Sequence, residues 1–199
     1  MADLLQKYSI ISDQVSREDL QVVLGELEKA LDHGIAGDIV EFGCYIGTTS
    51  LFIRRLLDLD GTARDFHVYD SFEGLPEKAR EDGSVAGSAF KAGQLAASKK
   101  QFMREFQRAR LVPPVVHKGW FNQLTPSDVP PQIAFAFLDG DFYESIKTSL
   151  KLVLPRMSSG GAIVIHDYAR EALPGVARAV HEQGLAAVAR HGLGIIHIT

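Results

Sequence analysis

Along this chain the spacing of apolar residues switches repeatedly between a helical period and short strand-like runs. After Ser16, residues Leu20, Val23, Leu24, Leu27 and Leu31 recur every three or four positions, which predicts a helix with one buried face. Ser16 and Asp19 open it as a capping box, and Gly34 is a plausible stop. Residues 38–43 read as a buried strand, 48–59 as a helix and 66–70 as a second strand. A third helix over 99–110 is amphipathic through Phe102, Phe106 and Ala109, and a short strand at 115–117 stops at Gly119. Pro126, Pro130 and Pro131 mark a loop. The apolar run 133–139 predicts a strand, and 145–154 a helix through Ile146, Leu150, Val153 and Leu154, ended by Pro155. A buried strand at 161–166 follows. Pro174 then starts a helix whose Val176, Ala179 and Val180 face inward. Two final strands, 185–190 and 194–199, join at His191-Gly192. The order α-β-α-β-α-β-β-α-β-α-β-β is that of a mostly parallel sheet covered by helices.

The interval 71–98 breaks this regularity. It is rich in Gly, Ser, Ala and charge and has no apolar stripe until its end, so 77–98 reads as a lid or binding loop. The 199 residues suit one domain spanning 1–199, with 1–34 as an N-terminal helical segment. A hydrophobic fraction of 46% and a charged fraction of 23% describe an ordinary globule. The net charge of −4 argues against non-specific nucleic-acid binding, which needs clustered cations. The basic residues of 104–110 interleave with phenylalanines as the solvated face of a helix. A single cysteine, Cys44, excludes an internal disulfide and fits a reducing compartment. No run approaches the roughly 20 apolar residues of a membrane span. The opening MADLLQKYS is not a secretory signal. A cytoplasmic protein with neither a membrane nor a nucleic-acid partner is expected.

Candidate chemistry gathers where strands end. Glu41-Phe42-Gly43-Cys44-Tyr45-Ile46-Gly47 lies at the turn from the first strand into a helix. The two glycines permit close backbone approach to a ligand, and ligands of open α/β sheets bind outside the carboxyl ends of strands. The E-x-G-x-x-x-G spacing differs from the G-x-G-x-x-G of a dinucleotide site. It suits a ligand with an amino acid end whose ammonium meets Glu41. Asp70 closes the second strand, at the distance where an acid grips ribose hydroxyls. Read blandly, the glycines make a tight turn, Asp70 sits on the surface and Cys44 is a packing residue.

The blocks GIAGDIVEFGCYIGTTS (34–50), VYDSFEGLP (68–76), KGWF (118–121), FLDGDFYESIKTSL (137–150), GGAIVIHDY (160–168) and PGVARAVHEQG (174–184) together resemble the macrocin O-methyltransferase family. The resemblance implies a Rossmann-like class I methyltransferase fold, with seven strands in the order 3-2-1-4-5-7-6 and an antiparallel last pair. It implies S-adenosylmethionine around Glu41, Gly43, Tyr45, Gly47, Thr48 and Thr49, with Asp70 on the ribose. Ser71 and Phe72, or Gly119, Trp120 and Phe121, would border the adenine. It further implies a hydroxyl acceptor on a sugar or aromatic natural product, a homodimer, and a divalent metal, usually magnesium. Asp139 would touch the reacting end of the cofactor as base or metal ligand, and His166 and Asp167 match a paired Asp-Asp. The chain departs from that pair at His166. Magnesium prefers oxygen ligands, whereas imidazole suits zinc, iron, nickel or copper. Asp141 and Glu144 read as caps of the helix that follows them. Two other classes stay open: a nicotinamide-dependent oxidoreductase and a non-catalytic cofactor-binding protein.

Overall fold

A computed structural model describes residues 2–199. Among them, six α-helices surround one sheet of seven strands. In chain order these are α1 (Ala2–Lys7), α2 (Arg17–Asp32), β1 (Asp38–Phe42), α3 (Thr48–Asp60), β2 (Phe66–Asp70), α4 (Lys99–Ala109), β3 (Val115–Lys118), β4 (Ile133–Leu138), α5 (Tyr143–Val153), β5 (Met157–Ile165), α6 (Pro174–Glu182), β6 (Val188–Arg190) and β7 (Leu193–His197). The strands lie in the order β3-β2-β1-β4-β5-β7-β6. The first five are parallel, while β7 runs antiparallel to both β5 and β6. This is the expected class I methyltransferase fold. The chain reverses direction across the sheet between β1 and β4, which opens a crevice at their carboxyl ends.

Every residue of β4 is buried, as a central parallel strand requires. Its side chains alternate between two cores. Phe135 and Phe137 pack with Leu20, Leu24 and Phe52 on one face, and Ala136 and Leu138 pack with Ile146, Leu150 and Val176 on the other. Burying one such side chain stabilises the fold by roughly 1.5–3 kcal/mol. Among the described residues no helix is long and apolar enough to cross a membrane.

Three local features depart from the sequence reading. Residues 2–7 form a separate helix, α1, that seats Leu4 and Leu5 in the core. β5 starts at Met157 rather than 161, because a register shift against β4 lets the strand continue through Gly160, whose φ is 82°. Neither Asp141 nor Glu144 caps α5. The helix starts at Tyr143, and its Tyr143 N–H donates to Asp82 Oδ1 (2.7 Å), a carboxylate from the 71–98 interval.

That interval is held by polar contacts. Asp82 has no exposed surface and also accepts from Ala79 N–H (2.9 Å). Ser84 Oγ donates to Ala172 O (3.0 Å), and Leu75 and Gly93–Gln94 exchange backbone hydrogen bonds. Asp82→Ala leaves two amides without their acceptor, so a stability loss of about 1–3 kcal/mol is expected. Urea unfolding should show it, with faster amide exchange over 79–93. An unchanged midpoint would mean that water replaces the carboxylate without loss.

Candidate functional site

The site forms where the sequence needs glycine and acid at strand ends. Gly43 leaves β1 with φ 85° and donates its N–H to Tyr69 O (2.8 Å). A Cβ on Gly43 would lie 2.0 Å from Asp139 O, so the loop passes β4 only because no side chain is there. Gly47 has a different task. It is the left-handed N-cap residue of α3 and lies under the Phe102 ring, away from the cavity.

Asp70 orders the loop from the neighbouring strand. Its Oδ2 accepts from Cys44 N–H (2.8 Å) and Tyr45 N–H (3.2 Å), and its Oδ1 from Phe72 N–H (2.7 Å). A carboxylate offers about four acceptor positions, so roughly one remains for a ligand hydroxyl. Asp70→Ala should therefore weaken cofactor binding about tenfold or more and loosen the loop as well. Calorimetric titration with S-adenosylhomocysteine reads the first effect and thermal melting the second. Unchanged affinity in a folded variant would remove Asp70 from the binding site.

A cavity of about 550 Å³ runs along the carboxyl ends of the strands. Beside β1 and β2 it is lined by Gly43, Cys44, Tyr45, Asp70 and Ser71, and beyond β3 by Trp120 and Phe121. Beside β4 and β5 it is lined by Asp139, Asp141, His166 and Asp167. Leu75, Pro76, Phe90 and Leu95 of the 71–98 interval form an apolar wall. A small adjoining pocket is bounded by Ser12, Gln14 and Val15 together with Glu41, Thr48 and Thr49. Glu41 is buried there. It accepts from Ser50 Oγ through Oε2, while Oε1 has no partner. Burial, only partly offset by Ser50 and reinforced by Asp139 and Asp70, holds its carboxyl well above the usual range. The partnerless Oε1 leaves room for a cationic donor such as an amino acid ammonium, whose charge would favour the ionised carboxylate.

Two proposed adenine neighbours sit elsewhere. Phe72 has φ 56° and turns its ring into the core against Phe102, 6.0 Å between centroids. Gly119 is outside the cavity lining and donates its N–H to Asp70 O (2.9 Å). Cys44 lines the cavity, but burial and then the charge of Asp70 push its thiol well above the ordinary value, so it stays protonated.

The ends of β4 and β5 bring Asp139, His166 and Asp167 together, with one donor atom of each within 4.8 Å of the others. His166 Nδ1 lies 3.1 Å from Asp139 Oδ1 and 3.2 Å from Asp167 Oδ2, yet it is buried and makes no aligned hydrogen bond. A donor nitrogen left over between two carboxylates fits a bound cation. Without one, burial would lower the imidazole, but the charge of Asp139 and the contacts to Asp139, Asp167 and Asp19 outweigh it and hold His166 well above its ordinary value. Burial and then the charges of Asp139 and Asp167 push Asp141 well above the carboxylate range. Asp167 is drawn down against its burial by His166 and by Arg170, whose Nη1 lies 2.8 Å away. Asp19 was legible in the sequence only as a helix cap. In the fold it lies 3.7 Å from His166 Nε2; burial would raise its carboxyl, but the nearby imidazole and the hydrogen bonds from Ser16 outweigh this and lower it to about 2.

A second cluster of Asp38, Asp65 and His67 lies at the amino ends of β1 and β2, remote from the cavity. His67 Nδ1 lies 3.1 Å from His117 Nε2, and burial holds both imidazoles below their ordinary value. For depressed groups the stability contribution is present above the unfolded value near 6.5 and is lost as pH falls through the folded one. The melting temperature should therefore drop between pH 7 and 5, and less so in a His67→Gln/His117→Gln variant. Identical pH profiles would show that these rings do not sense folding.

Residues 8–189 match the sequence pattern of the family described as Macrocin-O-methyltransferase (TylF). The 8-demethyl-8-(2,3-dimethoxy-alpha-L-rhamnosyl)-tetracenomycin-C 4'-O-methyltransferase of Streptomyces olivaceus is 38% identical over 152 residues, 73% of this chain and 58% of that protein. The mycinamicin III 3''-O-methyltransferase of Micromonospora griseorubida is 32% identical over 164 residues, 78% of this chain and 63% of that protein. The aligned part thus spans about three fifths of either relative. Among solved structures, the O-methyltransferase NovP superposes with a TM-score of 0.80 at 26% identity, covering 93% of this chain and 81% of its own. The calicheamicin methyltransferase CalS11 shares the fold, with a TM-score of 0.77 at 18% identity over 98% of this chain and 89% of its own. With a family match across nearly its whole length, the chain belongs to the macrocin O-methyltransferase family.

Proposed function

We propose that this protein transfers the methyl group of S-adenosylmethionine to a hydroxyl of a small molecule, a sugar-bearing or aromatic natural product. The observation that carries this is one continuous cavity that joins the glycine loop and Asp70 to Asp139. The names of the two curated relatives give the same chemistry, and the first specifies a 4'-oxygen on a molecule bearing a rhamnosyl group.

In this reading Glu41 faces the amino end of the cofactor, Asp70 takes a ribose hydroxyl, and Ser71, Trp120 and Phe121 border the adenine. Methyl transfer is an in-line displacement, and much of its rate comes from aligning acceptor oxygen, methyl carbon and sulfur. An alcohol is a weak nucleophile until it loses its proton, and Asp139 Oδ is placed to accept that proton. Asp141 is set aside as the base, because burial and the charges of Asp139 and Asp167 favour its protonated form. Asp139, His166 and Asp167 would hold a divalent cation, which when bound supplies charge stabilisation to the developing alkoxide. The wall over 77–98 acts as a lid on the acceptor and keeps water out. A homodimer and a cytoplasmic location belong to the same reading, resting on the family likeness and on one buried thiol.

The test is incubation with methyl-labelled S-adenosylmethionine and a panel of glycosides and phenols, read by mass spectrometry. Label in an acceptor supports the proposal. Binding of a nicotinamide dinucleotide without binding of S-adenosylhomocysteine would favour an oxidoreductase. Cofactor binding without transfer to any acceptor would favour a non-catalytic role.

A further inference from the structure

His166 has carboxylates at both ring nitrogens. Nδ1 points between Asp139 and Asp167, at 3.1 and 3.2 Å, and has no aligned partner. Nε2 faces Asp19 Oδ2 at 3.7 Å, an ion-pair distance. Asp19 is itself fixed, since its Oδ2 accepts from Ser16 N–H (2.8 Å) and Ser16 Oγ (2.7 Å) at the start of α2. An imidazole that binds a metal through one nitrogen commonly gives its other N–H to a carboxylate, which sets the tautomer and the ring orientation. The same α2 start follows directly on Gln14 and Val15, which border the pocket beside Glu41.

We propose that Asp19 is a positioning residue for the cation centre. It keeps the proton of His166 on Nε2, so that the Nδ1 lone pair joins the oxygens of Asp139 and Asp167. This rests on the cation-binding reading given above and goes beyond it in naming the ion. A mixed oxygen–nitrogen–oxygen set favours a late first-row transition ion over magnesium, which demands oxygen. An aspartate at 166 would not need Asp19, whereas this chain's imidazole does.

The test uses the full chain stripped of metal and titrated separately with cobalt(II), magnesium and S-adenosylhomocysteine by calorimetry. Wild type should bind cobalt more tightly than magnesium. Asp19→Asn should weaken cobalt binding about 10- to 100-fold with S-adenosylhomocysteine affinity unchanged. Ser16→Ala removes the capping hydroxyl but leaves the carboxylate and its bond from the backbone N–H at 16, so cobalt affinity should fall much less than in Asp19→Asn even if it melts earlier. In a His166→Asp background, adding Asp19→Asn should change cobalt affinity no further. Equal cobalt affinity in wild type and Asp19→Asn overturns the role of Asp19. A wild-type protein that binds neither ion overturns the cation reading and this inference with it. Failure to bind S-adenosylhomocysteine counts against the transferase reading alone, because the ion titrations read Asp19 independently.

Discussion

Replacing Asp139 by asparagine is expected to lower methyl transfer about 10²- to 10⁴-fold, the usual contribution of a positioned base, while cofactor binding persists. Asparagine keeps the shape and the hydrogen-bonding reach of the side chain but cannot take the acceptor's proton. It is also a weaker cation ligand, so a response of the activity to chelation and to added ion should vanish in the same variant. Two features make Asp139 the group to test. It follows β4 directly, with its N–H held by Phe42 O at 2.7 Å, so its position is set by the sheet. It also lines both the main cavity and the pocket beside Glu41, which in the proposed reading is the junction of cofactor and acceptor. Single-turnover transfer from labelled donor, alongside calorimetry with S-adenosylhomocysteine, separates chemistry from binding. Full turnover in a folded Asp139→Asn protein would move the base to another residue and leave Asp139 with a binding role.

The parts of this molecule that were legible in the sequence are those encoded by burial on one face. β4 reads directly, because six consecutive buried residues leave an uninterrupted apolar run. α2 reads from its stripe and its capping box, both present in the fold. No local pattern says that β7 inserts between β5 and β6, and that order came only with the family resemblance. What could not be read was polar pairing over distance. The cap of α5 is Asp82, 61 residues before its partner, in a stretch whose lack of an apolar stripe suggested little to hold it. Asp19 looked like a helix cap and is one, yet the fold also turns it toward His166 from the far side of the sheet sequence. Phe72 looked like an aromatic neighbour of the adenine, and in the fold it has a positive φ and its ring packs in the core against Phe102. Asp141 and Asp167 likewise adopt φ of 58° and 57°, a conformation that residues other than glycine hold mainly where the surrounding structure imposes it.

Gly43→Ala tests how tightly the loop after β1 and the end of β4 are joined, and a stability loss of about 2–5 kcal/mol is expected. Part is the cost of a left-handed conformation for alanine, about 1–2 kcal/mol. The rest is overpacking, typically about 1–3 kcal/mol, since the new Cβ falls 2.0 Å from Asp139 O and 2.9 Å from Asp139 C. Neither backbone can retreat freely. Gly43 N–H is bonded to Tyr69 O and Asp139 N–H to Phe42 O, so relief of the clash breaks the ends of β1 and β4 together. The displaced group is the proposed base, and turnover in the surviving folded protein should fall along with stability. Two other glycines calibrate the effect. Gly34 has φ 63° with nothing within 4 Å of an added Cβ, so Gly34→Ala should show backbone strain alone. Gly47 has φ 96°, and an added Cβ meets the Phe102 ring at 3.0 Å and Phe106 at 3.8 Å, side chains rather than backbone, so Gly47→Ala should fall between. Urea unfolding of the three variants should rank them Gly34, Gly47, Gly43 in increasing loss, and transfer assays should single out Gly43. A Gly43→Ala protein with wild-type midpoint and turnover would show that the loop does not press on β4, and the placement of Asp139 beside the cofactor would lose its structural basis.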